Sequence, residues 1–483
     1  MYSIITNRRH QFILLLIAAF AIFVDSLDNS IVNVALPVIA SEFGIEITTG
    51  SWIAMTYGLF LAGFILAFGR IADNGKIQKI FILGFTIFSL GSLLCAASMN
   101  LPVMIAARAV QGIGASMIAA AAPLIITRFL PGSKCGLGMG VIATTGGIAL
   151  TFGPPLGGLL TEYLSWHWIF LINIPIGIAA IFFALAFIPR PAATPEKKAF
   201  DWAGMFLMFA AVACFVLLIE RGASLGWTSP LSLSLMGFFA AAAAAYIIHS
   251  LKSPHPLINL RIFKHWKFSF VAASYLLTCM VSGGVMYMLP YYMEIPLGLS
   301  AATAGLLLII SSVITALIGI PVGIWCDKIG CRTPCILAAL CRITFCAILL
   351  FILPEWGIIA VLPALVFTGL AFGISGGPAT TRIVQNAPEG ETGSGTSIMI
   401  TTDFLGGVVG IAAYTLAFVI GAPAAAGIAV NELPVDIFLS GFHATAFLGL
   451  LIGIATLILS WVVPNIVAGK EAAKKEEGKA GES

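Results

Sequence analysis

Charge is scarce in this chain. Only 9% of its 483 residues are Asp, Glu, Lys or Arg, against about a quarter in soluble domains. That scarcity excludes an ordinary water-soluble globule and leaves no basic surface for nucleic acid. There is no nucleotide-binding loop, no metal-ligand cluster and no nucleophile–base set. The chain is therefore not expected to be an enzyme, to hold a metal or cofactor, or to be driven by ATP. The nine cysteines lack secreted disulfide spacing. Those at Cys326, Cys331, Cys335, Cys341 and Cys346 match no zinc pattern, so apolar packing is expected of them. Long polar segments are confined to 190–201, 249–267 and the tail after Pro464.

What is abundant is apolar. Sixty per cent of the residues are hydrophobic, the mean hydropathy is +1.05, and fifty are glycine, which lets membrane helices approach closely. Apolar runs of about 20 residues, the length that crosses a bilayer, recur throughout. They predict an all-α polytopic membrane protein with spans near 12–39, 51–70, 79–98, 102–126, 138–160, 166–188, 202–220, 231–250, 268–292, 302–325, 334–353, 358–378, 395–421 and 441–464. The first run follows Asn7-Arg8-Arg9-His10 in the manner of a signal peptide. It continues past Asp25 and Asp28 without a suitable cleavage site, and is read as a retained span.

Charge asymmetry supports that count. With fourteen spans and the N-terminus inside, all of the 24 Lys plus Arg residues except Arg108, Arg221 and Arg342 fall on the cytoplasmic side or at its boundary. The opposite loops carry Glu42, Glu46, Glu162, Glu294, Glu355, Glu432 and Asp436. This is the positive-inside pattern, and it predicts both termini in the cytoplasm. A repeat is also present. Gly69 and Asp73, with Lys76 close behind, follow span 2; Gly323 and Asp327, with Lys328 and Arg332, follow span 10. The expected division is an N-terminal six-helix half over 1–190, inserted spans 7 and 8 over 191–260, a C-terminal six-helix half over 261–464 and a charged tail over 465–483. Duplicated halves around a central site are a transporter architecture.

Charges inside spans are expensive and point to function. Asp25 and Asp28 lie three residues apart in span 1, expected to share a face with Asn29 and to lie near Asn33. Asp25 is about 21 Å from the cytoplasmic start of its helix, and Arg108 about 9 Å below the outer end of span 4. These depths nearly coincide. An acid pair facing an arginine suits proton coupling; a fixed ion pair joining spans 1 and 4 is the alternative. Arg342 and Asp403 each lie about eight residues into spans 11 and 13, and equal depth suggests a mutual pair, a substrate contact or a second titrating group.

Several stretches together resemble the fourteen-span drug:proton antiporters of the major facilitator superfamily. They are Leu27-Asp28-Asn29-Ser30-Ile31-Val32-Asn33-Val34-Ala35-Leu36-Pro37, the 69–79 loop, Arg108-Ala109-Val110-Gln111-Gly112-Ile113-Gly114-Ala115, Gly153-Pro154-Pro155-Leu156-Gly157-Gly158 after Gly147, and Trp166-His167-Trp168-Ile169-Phe170-Leu171-Ile172-Asn173-Ile174-Pro175. The resemblance implies a major facilitator fold and proton-coupled efflux of lipophilic or cationic compounds across the cytoplasmic membrane by a multi-pass monomer. A transporter for one specific metabolite is the second reading, and a receptor or channel the third. It also implies that Gly69, Asp73, Lys76 and Asp327 serve a conformational lock between the halves. Gly153, Pro154, Gly157 and Gly158 would form a hinge surface, and Gln111 would join Asn29 and Asn33 near the substrate. The chain departs from the family at Asp403, where a basic residue is usual, and in the run Asn74-Gly75-Lys76-Ile77-Gln78.

Overall fold

The computed structural model describes residues 5, 7–189, 201–253, 256–388 and 392–465. Part of the 191–260 segment expected to carry inserted spans 7 and 8, the tail from 466 onward and the side chain of Asp327 lie outside the described residues. The described chain is helical: α1 (Arg8–Glu42), α2 (Ile47–Ile71), α3 (Ile77–Ala96), α4 (Leu101–Phe129), α5 (Gly132–Tyr163), α6 (His167–Phe187), α7 (Trp202–Leu225), α8 (Pro230–Lys252), α9 (Trp266–Glu294), α10 (Ala301–Ile329), α11 (Arg332–Phe351), α12 (Gly357–Gln385), α13 (Thr392–Gly421) and α14 (Val435–Val462). Thirteen helices among the described residues are long and apolar enough to cross a membrane. One of these, Ile47–Ala96, runs 50 residues and contains both α2 and α3. Inside it, Asn74 and Gly75 leave helical geometry, with Gly75 at φ +87°. A residue with a Cβ is strained there, so glycine makes the reversal between α2 and α3 possible.

Polar residues mark the helix starts. Asn7 accepts from the backbone N–H groups of Arg9 and His10, Asn100 from Val103, Ser229 from Ser232 and Ser300 from Thr303. Each satisfies a donor that the first helical turn leaves unpaired, and Pro102 and Pro230 sit where a missing N–H costs nothing.

The packing repeats. In the first six helices α1 packs on α5, α3 on α4 and α6, and α2 on α4. In the last six, α9 packs on α13, α11 on α12 and α14, and α10 on α12. The two sets meet along α5–α10 and α2–α13, which are equivalent seams under that repeat. Helix α7 touches both α2 and α13 and so covers one seam, while α8 packs chiefly on α7.

The sets are joined most tightly at the end opposite the start of α1. There Ala302 N–H donates to Glu162 Oε2 at 2.9 Å, Val430 N–H to the Ile45 carbonyl at 3.1 Å, and the Tyr287 hydroxyl to the Ile47 carbonyl. A Cβ on Gly158 would strike the Ala301 carbonyl, and one on Gly305 the Pro154 carbonyl, so α5 and α10 are in backbone contact. One apolar cluster runs through both sets at this end, from Leu36, Ile39 and Ile53 to Tyr287, Leu289 and Leu308. Toward the other end the core divides, with Leu14, Phe81 and Ile125 in one cluster and Phe268, Tyr275 and Ile383 in another. Added Cβ atoms at Gly140 and Gly147 of α5, or Gly319 and Gly323 of α10, would meet nothing within 4 Å. The halves meet closely at the far end; toward the end where α1 begins α5 and α10 part, while Leu66 of α2 and Ile400 and Phe404 of α13 still pack across the other seam.

One cysteine expectation is corrected. Cys326 and Cys331 are joined by a disulfide, with Cα atoms 4.8 Å apart. Gly330, at φ +84°, folds the short turn back so that the end of α10 meets the start of α11. Cys335 and Cys346 are buried free thiols, as apolar packing requires.

Gly158→Leu should part the far ends of α5 and α10, because overpacking a close contact costs about 1–3 kcal/mol. Spin labels placed on those ends should report a longer distance than in the parent chain. An unchanged distance would mean that the seam does not depend on this glycine.

Candidate functional site

The site grows from α1. Asp28 is fully buried, and its two oxygens accept three hydrogen bonds from two other helices. Arg108 Nη1 of α4 reaches Oδ2 at 2.9 Å; Gln111 Nε2 of α4 and Asn173 Nδ2 of α6 reach Oδ1 at 2.8 and 2.7 Å. Arg108 also donates from Nε to the Ile53 carbonyl at 3.0 Å and from Nη1 to Gln111 Oε1 at 2.6 Å. Ser92 of α3 accepts from Gln111 Nε2 at 2.8 Å. Every member is held by another, which a buried charge pair needs to be tolerated.

Asp25 sits one turn earlier and is bound differently. The Tyr57 hydroxyl of α2 donates to its Oδ1 at 2.9 Å, while the Tyr57 ring lies 4.2 Å under the Arg108 guanidinium. Phe170 lies 5.8 Å from the same cation. Tyr57 thus connects the two acids, bonding one and stacking on the partner of the other. Asp25 is 7% exposed and Asp28 0%, so of the two acids Asp25 is nearer the accessible space.

The other expected residues are placed unevenly. Asn29 is exposed, a quarter-turn away from Asp28, and so does not share its face; Asn33 Nδ2 donates to the Asn29 carbonyl at 2.9 Å. Gln111 belongs to the Asp28 network rather than to an open surface. Gly153 and Gly157 face α1, where a Cβ would strike Ser30 and Ile31, whereas Pro154 and Gly158 face α10. Gly69 is not needed for space, since an added Cβ would make only an ordinary 3.8 Å contact with Ala120.

The expected lock contact is not between halves in this conformation. Asp73 pairs with Arg128 at the end of α4, with Nη2 at 2.5 Å and Nε at 2.7 Å from Oδ1, while Lys76 is exposed. The reversal at Gly75 turns Asp73 toward its own half, where Arg128 closes the helix. Arg342 and Asp403 do not pair either. Asp403 accepts from the Tyr275 hydroxyl at 3.2 Å and Cys279 Sγ at 3.4 Å, and Arg342 donates to Thr278 Oγ1 at 3.4 Å. All three partners are on α9, which presents different faces to α13 and α11.

Tyr57, Ser92 and Asn173 went unassigned in the sequence. Their signal was a neutral polar group inside an apolar span, which is weaker than a charge but costs free energy for the same reason. Among the described residues no group of three or more His, Cys, Asp or Glu could hold a metal ion.

A model of the Major Facilitator Superfamily matches residues 18–411. The chain belongs to that superfamily. It is 30% identical over 416 residues to the riboflavin transporter RibZ of Clostridioides difficile, covering 85% of this chain and 89% of that one. It is 36% identical over 310 residues to a protein of Salmonella typhi named for multidrug resistance, MdtD, covering 63% of each chain, just under two thirds. Among solved structures, a bacterial homolog of the human lysosomal transporter Spinster, inward-facing and unoccupied, superposes with a TM-score of 0.65 at 13% identity, over 94% of this chain and 98% of that one. A D-xylose–proton symporter gives 0.63 at 16%, over 94% and 98%. The fold is that of a major facilitator, and the protein is a multi-pass membrane transporter, not an enzyme.

Because α9 separates them, Arg342→Met and Asp403→Leu should change thermal stability additively, within about 0.5 kcal/mol. Asp73→Asn and Arg128→Gln should each slow transport, and combining them should slow it no further. Exposed pairs of this kind contribute under about 1 kcal/mol, so neither change should lower Tm appreciably. A double variant much slower than either single one would mean that the two residues act apart.

Proposed function

We propose that this transporter exports lipophilic or cationic compounds in exchange for protons by alternating access. It would cross the cytoplasmic membrane fourteen times, with α2 and α3 as separate crossings and both termini in the cytoplasm. The halves would be 1–190 and 261–464, with 191–260 carrying the inserted α7 and α8. In that orientation the parted end of the bundle faces the cytoplasm, as the loading state of an exporter should.

The observation that carries the proposal is Asp28, a carboxylate at membrane depth held by one guanidinium and two amides. A proton placed on Asp28 removes the charge that Arg108 faces and leaves Gln111 and Asn173 donating to a neutral acid. Helices α1, α4 and α6 would then no longer be drawn to a common anion. Such a change can bias a rocking motion whose seams are α5–α10 and α2–α13, because a ligand shifts an equilibrium only by binding its two states differently. Asp25, joined through Tyr57, is the second member of the relay. The Asp73–Arg128 pair would hold the α2–α3 turn in the present conformation and exchange partners in the other. Asp327 would play the repeated role in the second half.

A second reading is transport of one specific metabolite. The 30% identity to a riboflavin transporter over most of both chains favours it, and the Asp28 network serves either substrate class.

Uptake into inverted vesicles separates these readings. An imposed pH gradient should drive accumulation of a lipophilic cation in the parent chain, and Asp28→Asn should reduce it at least tenfold. Gradient-driven uptake that survives in Asp28→Asn would remove Asp28 from coupling. Gradient-driven uptake of riboflavin but not of cations would establish the second reading.

A further inference from the structure

Among the described residues, the C-terminal half contains a buried cation without a resident counter-ion. Arg342 is 3% exposed, and among the described residues the guanidinium has one long hydrogen bond, to Thr278, while Nη2 has no partner. The contrast with Arg108 is direct, since that equally buried guanidinium faces Asp28 and two further acceptors.

A second buried donor lies close by. The Tyr414 hydroxyl on α13 is buried and unpartnered. Its ring crosses Gly284 of α9, where a Cβ would collide with it, and its hydroxyl reaches Gly449 of α14 beside Cys346 Sγ. Cys346 is one turn beyond Arg342 on α11, and Tyr414 and Cys346 are among the electrostatic neighbours of the guanidinium. The Tyr414 hydroxyl thus lies beside Cys346, one turn from Arg342, so an O–H donor and an N–H donor without partners among the described residues occupy one buried region. An uncompensated buried charge is strongly destabilising, and the two donors specify an acceptor of negative charge.

We propose that Arg342 and Tyr414 form an anion-binding subsite between α9, α11, α13 and α14, taking a singly charged anionic group. That group is either a free inorganic anion or the carboxylate of a transported molecule. This subsite goes beyond proton coupling, and it lies in the half opposite Asp28.

The test uses the purified full-length transporter in neutral detergent, titrated separately with sodium chloride and sodium benzoate while sodium sulfate holds ionic strength constant. The readout is the change in Tm relative to Arg342→Gln, which cancels general salt effects. Binding to the folded state raises Tm in a saturable way, and the parent chain should show a rise of several degrees that Arg342→Gln lacks. A response to chloride assigns the subsite to an inorganic anion; a response to benzoate alone assigns it to a carboxylate on the transported molecule. Tyr414→Phe keeps the charge and should raise the midpoint concentration about fivefold, the loss of one hydrogen bond. That variant carries the test if Arg342→Gln does not fold. Identical titrations in the parent chain, Arg342→Gln and Tyr414→Phe would overturn the proposal. So would strong coupling between Arg342→Met and Asp403→Leu, which would make Asp403 the counter-ion. No pH gradient enters this measurement, so its failure is distinct from failure of proton coupling.

Discussion

The N-terminal half depends on keeping one negative charge out of water. A lone carboxylate at the depth of Asp28 would be prohibitively costly, and its Coulomb attraction to Arg108 offsets that cost only when the remaining lone pairs and protons are also satisfied. That condition dictates much of the local architecture. Gln111 must lie one turn beyond Arg108 on α4, Asn173 must sit where α6 turns inward, and Ser92 must face them from α3. Five helices contribute an atom or a ring to the same small volume. The helix arrangement and the charge site are therefore one constraint.

A second constraint acts between the halves. Backbone contact at Gly158 and Gly305 lets α5 and α10 meet at the far end without side chains between them. Glu162 then accepts from Ala302 N–H at the start of α10, where an acidic group is favoured by the unpaired donors and the helix dipole. Among the described residues the apolar core is divided toward the other end, where Leu66 of α2 and Ile400 and Phe404 of α13 still pack across the second seam. A rigid seam at one end and a parted one at the other is the geometry of a rocking joint. The stiff parts of the two halves need not deform for the joint to move.

Legibility in the sequence followed the size of the free-energy penalty. Apolar runs, the Asp28–Arg108 pairing and the repeated Gly–Asp loops were readable because each breaks a strong rule of bilayer chemistry or recurs in register. Tyr57, Ser92 and Asn173 were not, since a neutral polar side chain in a helix has several inexpensive partners and its direction depends on packing. The proposed Arg342–Asp403 pair failed for a related reason. Depth along a helix is fixed by rise per residue, but azimuth relative to another helix is not, and α9 occupies the space between them. Asn29 shows the same limit within one helix. Adjacent residues are separated by about 100° of rotation, so proximity in sequence to Asp28 placed it on a different face.

The two halves thus share a backbone plan and differ in charge. In the first, cation and carboxylate are both supplied by the protein. In the second, the cation of α11 faces a hydroxyl on α9, and the carboxylate of α13 is bonded to a phenol and a thiol on another face of that helix. Under the packing repeat α11 corresponds to α3 and α4 to α12, so Arg342 and Arg108 are separate placements of a buried guanidinium rather than copies of one site. If the proposals above hold, the first half would bind the proton and the second a charged group brought from outside.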